Sequence, residues 1–195
     1  MAFVLWFTGI PASGKSTIAK EVERILRERG IPIENLDADE IRANLSPKLG
    51  YTAEARDINT KRLAFLASLL EKHGCSAIVA AVSSLRQFRD RARDMSRNFV
   101  EIYVKCAVEV CIERDPKGLY AKAERGEVND IAGLHQPYEE PLNPEVICES
   151  DKETVEESAM KVILKLEEEG LLPPVEYTFE DEEAIKKRLK SLGYL

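Results

Sequence analysis

A chain of 195 residues, 44% hydrophobic and 32% charged, is long enough to bury one substantial core and has an ordinary globular composition. Its formal charge of -7 argues against a general nucleic-acid or membrane-surface binder, since both need a basic excess, so an anionic ligand has to be met by local basic residues. Cys75, Cys106, Cys111 and Cys148 form no CxxC pair and have no histidine at metal spacing, which argues against a disulfide framework or zinc site and for a reducing, cytoplasmic setting.

The apolar start of the chain lacks a charged lead-in and is too short for a signal peptide or a membrane span. It reads instead as a first strand running into a loop: FVLWFTGIPASGKST, Phe3 to Thr17. Gly9, four residues, Gly14, Lys15 and Ser16 make the phosphate-binding P-loop pattern. Glycines let successive N–H groups turn inward toward an anion, and the helix opening at Lys15 adds the positive end of its dipole. In this pattern Gly9, Ser13, Gly14, Lys15, Ser16 and Thr17 cradle a nucleoside triphosphate, Lys15 reaches its terminal phosphates, and the Ser16 hydroxyl faces Mg²⁺.

Ile18, Ala19, Val22, Ile25 and Leu26 recur at helical spacing and stop at Gly30 and Pro32. Ile33 to Leu36 reads as a second strand ending at Asp37, followed by a polar helix through Arg42. Ile58, Phe65, Leu66 and Leu69 mark an amphipathic helix closed by His73 and Gly74. Ala77 to Val82 suits a strand buried on both faces, and Phe99 to Val104 and Val146 to Cys148 give two more. Ser150 and Glu153 suggest a capping box before a helix carrying Val155, Ala159, Val162, Ile163 and Leu166, ended by Gly170. Strands alternating with helices predict an α/β fold of the P-loop NTPase type, a parallel sheet with helices on both faces.

The stretch 114–141 is polar, punctuated by Gly118, Gly126 and Gly133, and reads as a mobile lid. A kinase domain is expected over residues 1–170 and a C-terminal tail over 171–195, with a short strand and a helix whose apolar stripe is Ile185, Leu189 and Leu192. The tail is expected to dock on its own domain, with a subunit contact in a homodimer as the alternative. The P-loop alone does not separate a kinase from a switch GTPase or a motor. The absence of an NKxD sequence, the pair Asp37 and Asp39 after strand two, and the lid together favour a kinase that encloses a small acceptor.

From LDADEIR (Leu36 to Arg42) onward the chain resembles the adenylyl-sulfate (APS) kinases. Leu49, Gly50 and Tyr51, then Arg56, Asn59 and Arg62, are similar to that family's patterns, as are Ser83 with Arg86, EVCIERDPKGLY (Glu109 to Tyr120), Gly133, Pro137 to Glu139, and Pro144 to Val146. The resemblance spans about Phe3 to Gly170 and implies transfer of the γ-phosphate of ATP to the 3′-hydroxyl of APS, giving 3′-phosphoadenylyl sulfate (PAPS) and ADP. It implies that Lys15 and Mg²⁺ near Ser16 offset phosphate charge and that Asp37 or Asp39 orients the hydroxyl or the metal's water shell. The resemblance further implies that Arg42, Arg56 and Asn59 grip the phosphosulfate and ribose, that Tyr51 lines the APS pocket, that Lys117 closes over the phosphates, and that Arg114 lies against the ATP adenine. Ser83 matches a serine that carries phosphate in some members.

Departures from the pattern are Ala38, Ala81, Ser84, Leu85, Ile131, Ala132 and His135. Ala81 and Ile131 stand where the family has the two phenylalanines that sandwich the adenine of APS. Each lost stacking partner weakens binding by roughly 1–3 kcal/mol, so another small-molecule acceptor is the alternative reading. A nucleotide-binding module without turnover is disfavoured by intact Lys15, Ser16, Asp37 and Asp39.

Overall fold

The first strand, β1 (Val4–Thr8), is buried at every position and alternates its side chains between two cores. Leu5 and Phe7 point to one face of the sheet with Phe3, while Val4 and Trp6 point to the other. A strand apolar on both sides has to lie inside a sheet covered twice, which is the position it takes in this computed structural model. The structure describes residues 1–50 and 52–174; Tyr51 and the tail strand and helix expected in 175–195 lie outside the described residues.

After β1 come α1 (Lys15–Glu28), β2 (Ile33–Asp37), α2 (Ala38–Leu45), α3 (Ala53–Lys72), β3 (Ser76–Ala80) and α4 (Arg86–Met95). They are followed by β4 (Phe99–Lys105), α5 (Val108–Arg114), α6 (Leu119–Glu124), β5 (Val146–Glu149) and α7 (Val155–Glu168). The five strands are parallel in the order β2-β3-β1-β4-β5, with Leu5 opposite Ile78 on one side and Val100 on the other. The chain reverses its direction of winding across β1, so the crevice at the carboxyl end of that strand is where an open α/β sheet takes its ligand. No helix among the described residues is long and apolar enough to cross a membrane.

Ile18, Ala19, Val22 and Leu26 of α1 and Ala159, Val162, Ile163 and Leu166 of α7 cover one face, as the periodicity predicts. The other face is covered by α3 and α4, and here three of the four expected stripe residues are misplaced. Leu66 is half-buried against the core, but Ile58, Phe65 and Leu69 are exposed at 40%, 57% and 41%, while α3 turns Ala55, Asn59, Thr60, Leu63, Ala64 and Ala67 inward. Packed between β3 and α4, this helix needs small residues for close approach, and the alanines satisfy that better than the larger side chains.

The capping box lies elsewhere than expected: Thr154 and Glu157 form it at the start of α7, with Glu157 N–H donating to Thr154 Oγ1 at 3.1 Å and Thr154 N–H to Glu157 Oε2 at 2.8 Å. Ser150 is thereby released for another task. The sequence reading also overlooks α4, α5 and α6, the last lying inside the 114–141 stretch, and extends the third strand two residues too far.

Burial contrasts sharply along α3, and stability should follow it. Leu63→Ala is expected to cost about 2–5 kcal/mol in chemical denaturation, and Phe65→Ser no more than about 0.5 kcal/mol. A reversed ranking would contradict the packing of α3.

Candidate active site

The loop between β1 and α1 is built around two glycines that no other residue can replace cheaply. A Cβ on Gly9 would sit 2.5 Å from the Val104 carbonyl oxygen and 2.8 Å from Ser13 Oγ, because the loop passes directly over the end of β4. Gly14 takes φ +96°, a left-handed conformation, to turn the chain into α1. No side chain among the described residues caps this helix, so its first N–H groups stay open toward the cavity in front of them. Ala12 also adopts positive φ, a strain that a phosphate cradle characteristically stores.

Lys15 is 8% exposed and donates from Nζ to the Ile10 carbonyl at 2.7 Å and to Ser13 Oγ at 3.4 Å. Burial lowers its ammonium to about 8; the nearby Lys117 charge adds to the fall, and Cys111 and Asp39 oppose it. The loop is held from behind by Ser150, whose Oγ donates to the Ser13 carbonyl at 2.6 Å. Arg114 donates to the Ser150 carbonyl at 2.6 Å and to its Oγ at 3.3 Å, tying the end of α5 to the same point.

Across the cavity, Asp37 caps α2: Oδ1 accepts from the N–H groups of Asp39 at 2.9 Å and Glu40 at 3.1 Å. Asp39 receives Lys117 Nζ at 2.5 Å, a pair that bridges the two sides of the cleft while remaining largely exposed, and so adds little to stability. Arg42 donates to the carbonyls of Leu49 and Gly50, at 3.3 and 2.6 Å, and Arg56 to that of Asp130 at 2.7 Å.

These residues line one cavity of about 1230 Å³ that runs from Gly14, Lys15, Ser16 and Thr17, past Asp37 and Asp39, to Arg42, Arg56, Arg114, Lys117 and Ile131. A smaller recess of about 100 Å³ shares Asp39, Arg42, Arg56 and Ala81 with it and is lined further by Asn59 and Ser83. Asn59 Oδ1 is buried there with no hydrogen-bond partner among the described residues, an acceptor left for a ligand hydroxyl.

Of the site residues anticipated from sequence, all except Tyr51, which lies outside the described residues, gather around these two spaces or the loop that borders them. Ser83 sits at the recess in a left-handed conformation, φ 43°, with its Oγ accepting from Trp6 Nε1 at 3.1 Å. Ile131 reaches the cavity wall but is only 1% exposed, packed on Cys111 and Tyr120 as part of a small third core. Sequence reasoning misses Ser150; its signal is its place just beyond the carboxyl end of β5, the end of the sheet at which such folds bind ligands.

The family model for adenylylsulphate kinase matches residues 1–149. The chain belongs to the adenylylsulphate kinase family. It is 47% identical over 168 residues to the adenylyl-sulfate kinase of Rippkaea orientalis, covering 86% of this chain and 93% of the relative. It is 44% identical over 171 residues to a probable adenylyl-sulfate kinase of Pyrococcus abyssi, covering 88% and 98%. Among solved structures, the Mycobacterium tuberculosis APS kinase CysC in complex with AMPPNP and APS superimposes with a TM-score of 0.81 at 39% identity, covering 85% of this chain and 98% of that one. The adenylylsulphate kinase fold thus accounts for β1 to α7.

Because the Val104 carbonyl cannot retreat from a Cβ at Gly9, Gly9→Ala should cost about 1–3 kcal/mol by denaturant titration. An unchanged midpoint would show that the loop is not packed against β4 as described.

Proposed function

We propose that the chain transfers the γ-phosphoryl group of ATP to the 3′-hydroxyl of adenylyl sulfate, releasing PAPS and ADP. A single observation carries this reading: the cavity at the uncapped start of α1, with its buried lysine, and the recess lined by Asn59 and Ser83 share Asp39, Arg42 and Arg56 as a common wall, which supports a triphosphate and a second anionic nucleotide meeting end to end. Membership of the family supports adenylyl sulfate over another small acceptor.

In this reaction the bond from the acceptor O3′ to the γ-phosphorus forms while the bond from that phosphorus to the β–γ bridging oxygen breaks. Phosphoryl transfer asks the protein mainly for alignment and charge neutralisation. Lys15 exchanges its contacts with Ile10 and Ser13 for the β- and γ-phosphate oxygens, and the amides from Gly14 to Thr17 hold the β-phosphate. Asp39 borders both spaces, so we assign it the acceptor hydroxyl and its departing proton. Asp37 borders only the larger one beside Ser16.

Ser16 and Asp37 offer hard oxygen donors to Mg²⁺, whose preference for phosphate oxygens and retained waters suits a site with few protein ligands. When bound, the ion supplies further neutralisation of the triphosphate. Arg42, Arg56 and Asn59 are assigned to the phosphosulfate and ribose of the acceptor, Tyr51, on the family resemblance, to the wall of its pocket, Lys117 to the transferring phosphate, and Arg114 to the edge of the nucleotide.

Incubation with ATP, Mg²⁺ and adenylyl sulfate is expected to yield PAPS and ADP, resolved by ion-exchange chromatography; pure folded protein that makes none would refute the proposal. Lys15→Ala is expected to lower kcat by at least about 10².

Lys15 also predicts a proton signature. With its pKa near 8, the free enzyme above that pH holds a growing fraction of neutral lysine, whereas the bound triphosphate favours the charged form. Binding of an ATP analogue at pH 8.5 should therefore take up a proton in calorimetry across buffers of different ionisation enthalpy, and affinity should fall as pH rises further. Equal uptake by Lys15→Met would assign the proton to another group.

A further inference from the structure

Arg89 is 2% exposed, an arginine buried on the inner side of α4 behind the recess rather than in it. One nitrogen, Nη1, donates to the Ser83 carbonyl at 2.5 Å and the other, Nη2, to the Glu139 carbonyl at 2.6 Å. Nε faces Glu101 Oε1 at 2.7 Å, and the guanidinium carbon lies 5.8 Å from the centre of the Tyr138 ring. Each end of this clamp is reinforced. Glu139 N–H donates to the Ser84 carbonyl at 2.8 Å, and the Glu139 carboxylate accepts from Arg86 N–H at 2.8 Å. Thr8 Oγ1 spends its proton on the Val82 carbonyl at 2.7 Å, so in the 2.9 Å contact between Tyr138 Oη and Thr8 Oγ1 the phenol is the donor.

The network joins three places of unrelated sequence position: the last residue of β1 before the phosphate loop, the strained turn at Ser83, and the segment at the end of the 114–141 stretch. A buried ion pair is a poor device for stability alone, because an apolar pair of the same volume serves as well. A planar fork that reaches two carbonyls at once is a good device for fixing geometry. We infer that Arg89 is a positioning residue for phosphoryl transfer, holding the Ser83 turn on the acceptor side against Glu139 at the end of the 114–141 stretch. The inference rests on the proposed function, since it concerns where the acceptor hydroxyl stands relative to the γ-phosphate.

Arg89→Lys keeps the charge facing Glu101 but cannot bond both carbonyls. It is expected to lower kcat for PAPS formation at least tenfold, to leave the Kd of an ATP analogue within twofold, and to raise the ADP made per PAPS above the one-to-one of the parent, as a loosened cleft lets water compete. A purely structural arginine would lower the melting temperature and leave both kcat per folded enzyme and the ADP-to-PAPS ratio at parental values, and that result overturns the inference. Tyr138→Phe is the second variant, read even if Arg89→Lys fails to fold: it removes only the hydroxyl on Thr8, and is expected to raise the same ratio at least twofold, with an unchanged ratio counting against the clamp. Parental protein that makes no PAPS at all defeats the proposed function and the clamp with it; parental turnover with indifferent variants defeats the clamp alone.

Discussion

The structure depends on a set of N–H donors at the start of α1 that gather in one place with no side chain among the described residues to cap them. Gly14 turns into α1 without a capping side chain, and Lys15 is buried beside the same point with only a carbonyl and a hydroxyl for company. Both are tolerable in water and both become favourable against a multiply charged anion. That constraint explains the glycine at position 9, pressed on the Val104 carbonyl, and the brace from Ser150, both of which hold the donors in place before a ligand arrives; burying Lys15 at the same point is what lowers its pKa.

A chain of formal charge -7 attracts no anion at long range, so its cations have to be placed one by one. The sheet order does this. With β1 in the middle, its exit faces the ends of β2 and β3 on one side and β4 and β5 on the other. Asp37, Asp39 and Arg42 come from the first side, Arg114 and Ser150 from the second, and Lys117 crosses between them to Asp39. The parallel arrangement delivers groups from segments far apart in sequence, Asp37 to Arg42 on one side and Arg114 to Lys117 with Ser150 on the other, to opposite banks of one cleft.

Some of this was legible in the sequence and some was not, for definite reasons. The phosphate loop, β1, α1 and the inner residues of α7 carry local signals, a spaced glycine pattern and a clean helical period, that tertiary contacts do not override. In α3 the larger apolar residues mislead: only Leu66 of the expected stripe packs on the core, because a helix wedged between a sheet and another helix selects alanine over phenylalanine. The buried side of α4 is Phe88, Arg89 and Ala92, and an arginine there disguises it as a surface helix. Ser150 was read as a cap because capping and bracing use the same hydroxyl; only the position of Ser13 across the loop distinguishes them. The residues around the recess were found through resemblance to the adenylyl-sulfate kinases, since arginines on polar helices give no signal of their own.

The most direct measurement of the central claim is a crystal structure of the protein with a non-hydrolysable ATP analogue. The account predicts the β-phosphate against the amides of Gly14 to Thr17, with Lys15 Nζ drawn from the Ile10 carbonyl onto the β- and γ-phosphate oxygens. An analogue bound elsewhere, with Lys15 still on Ile10, would contradict it.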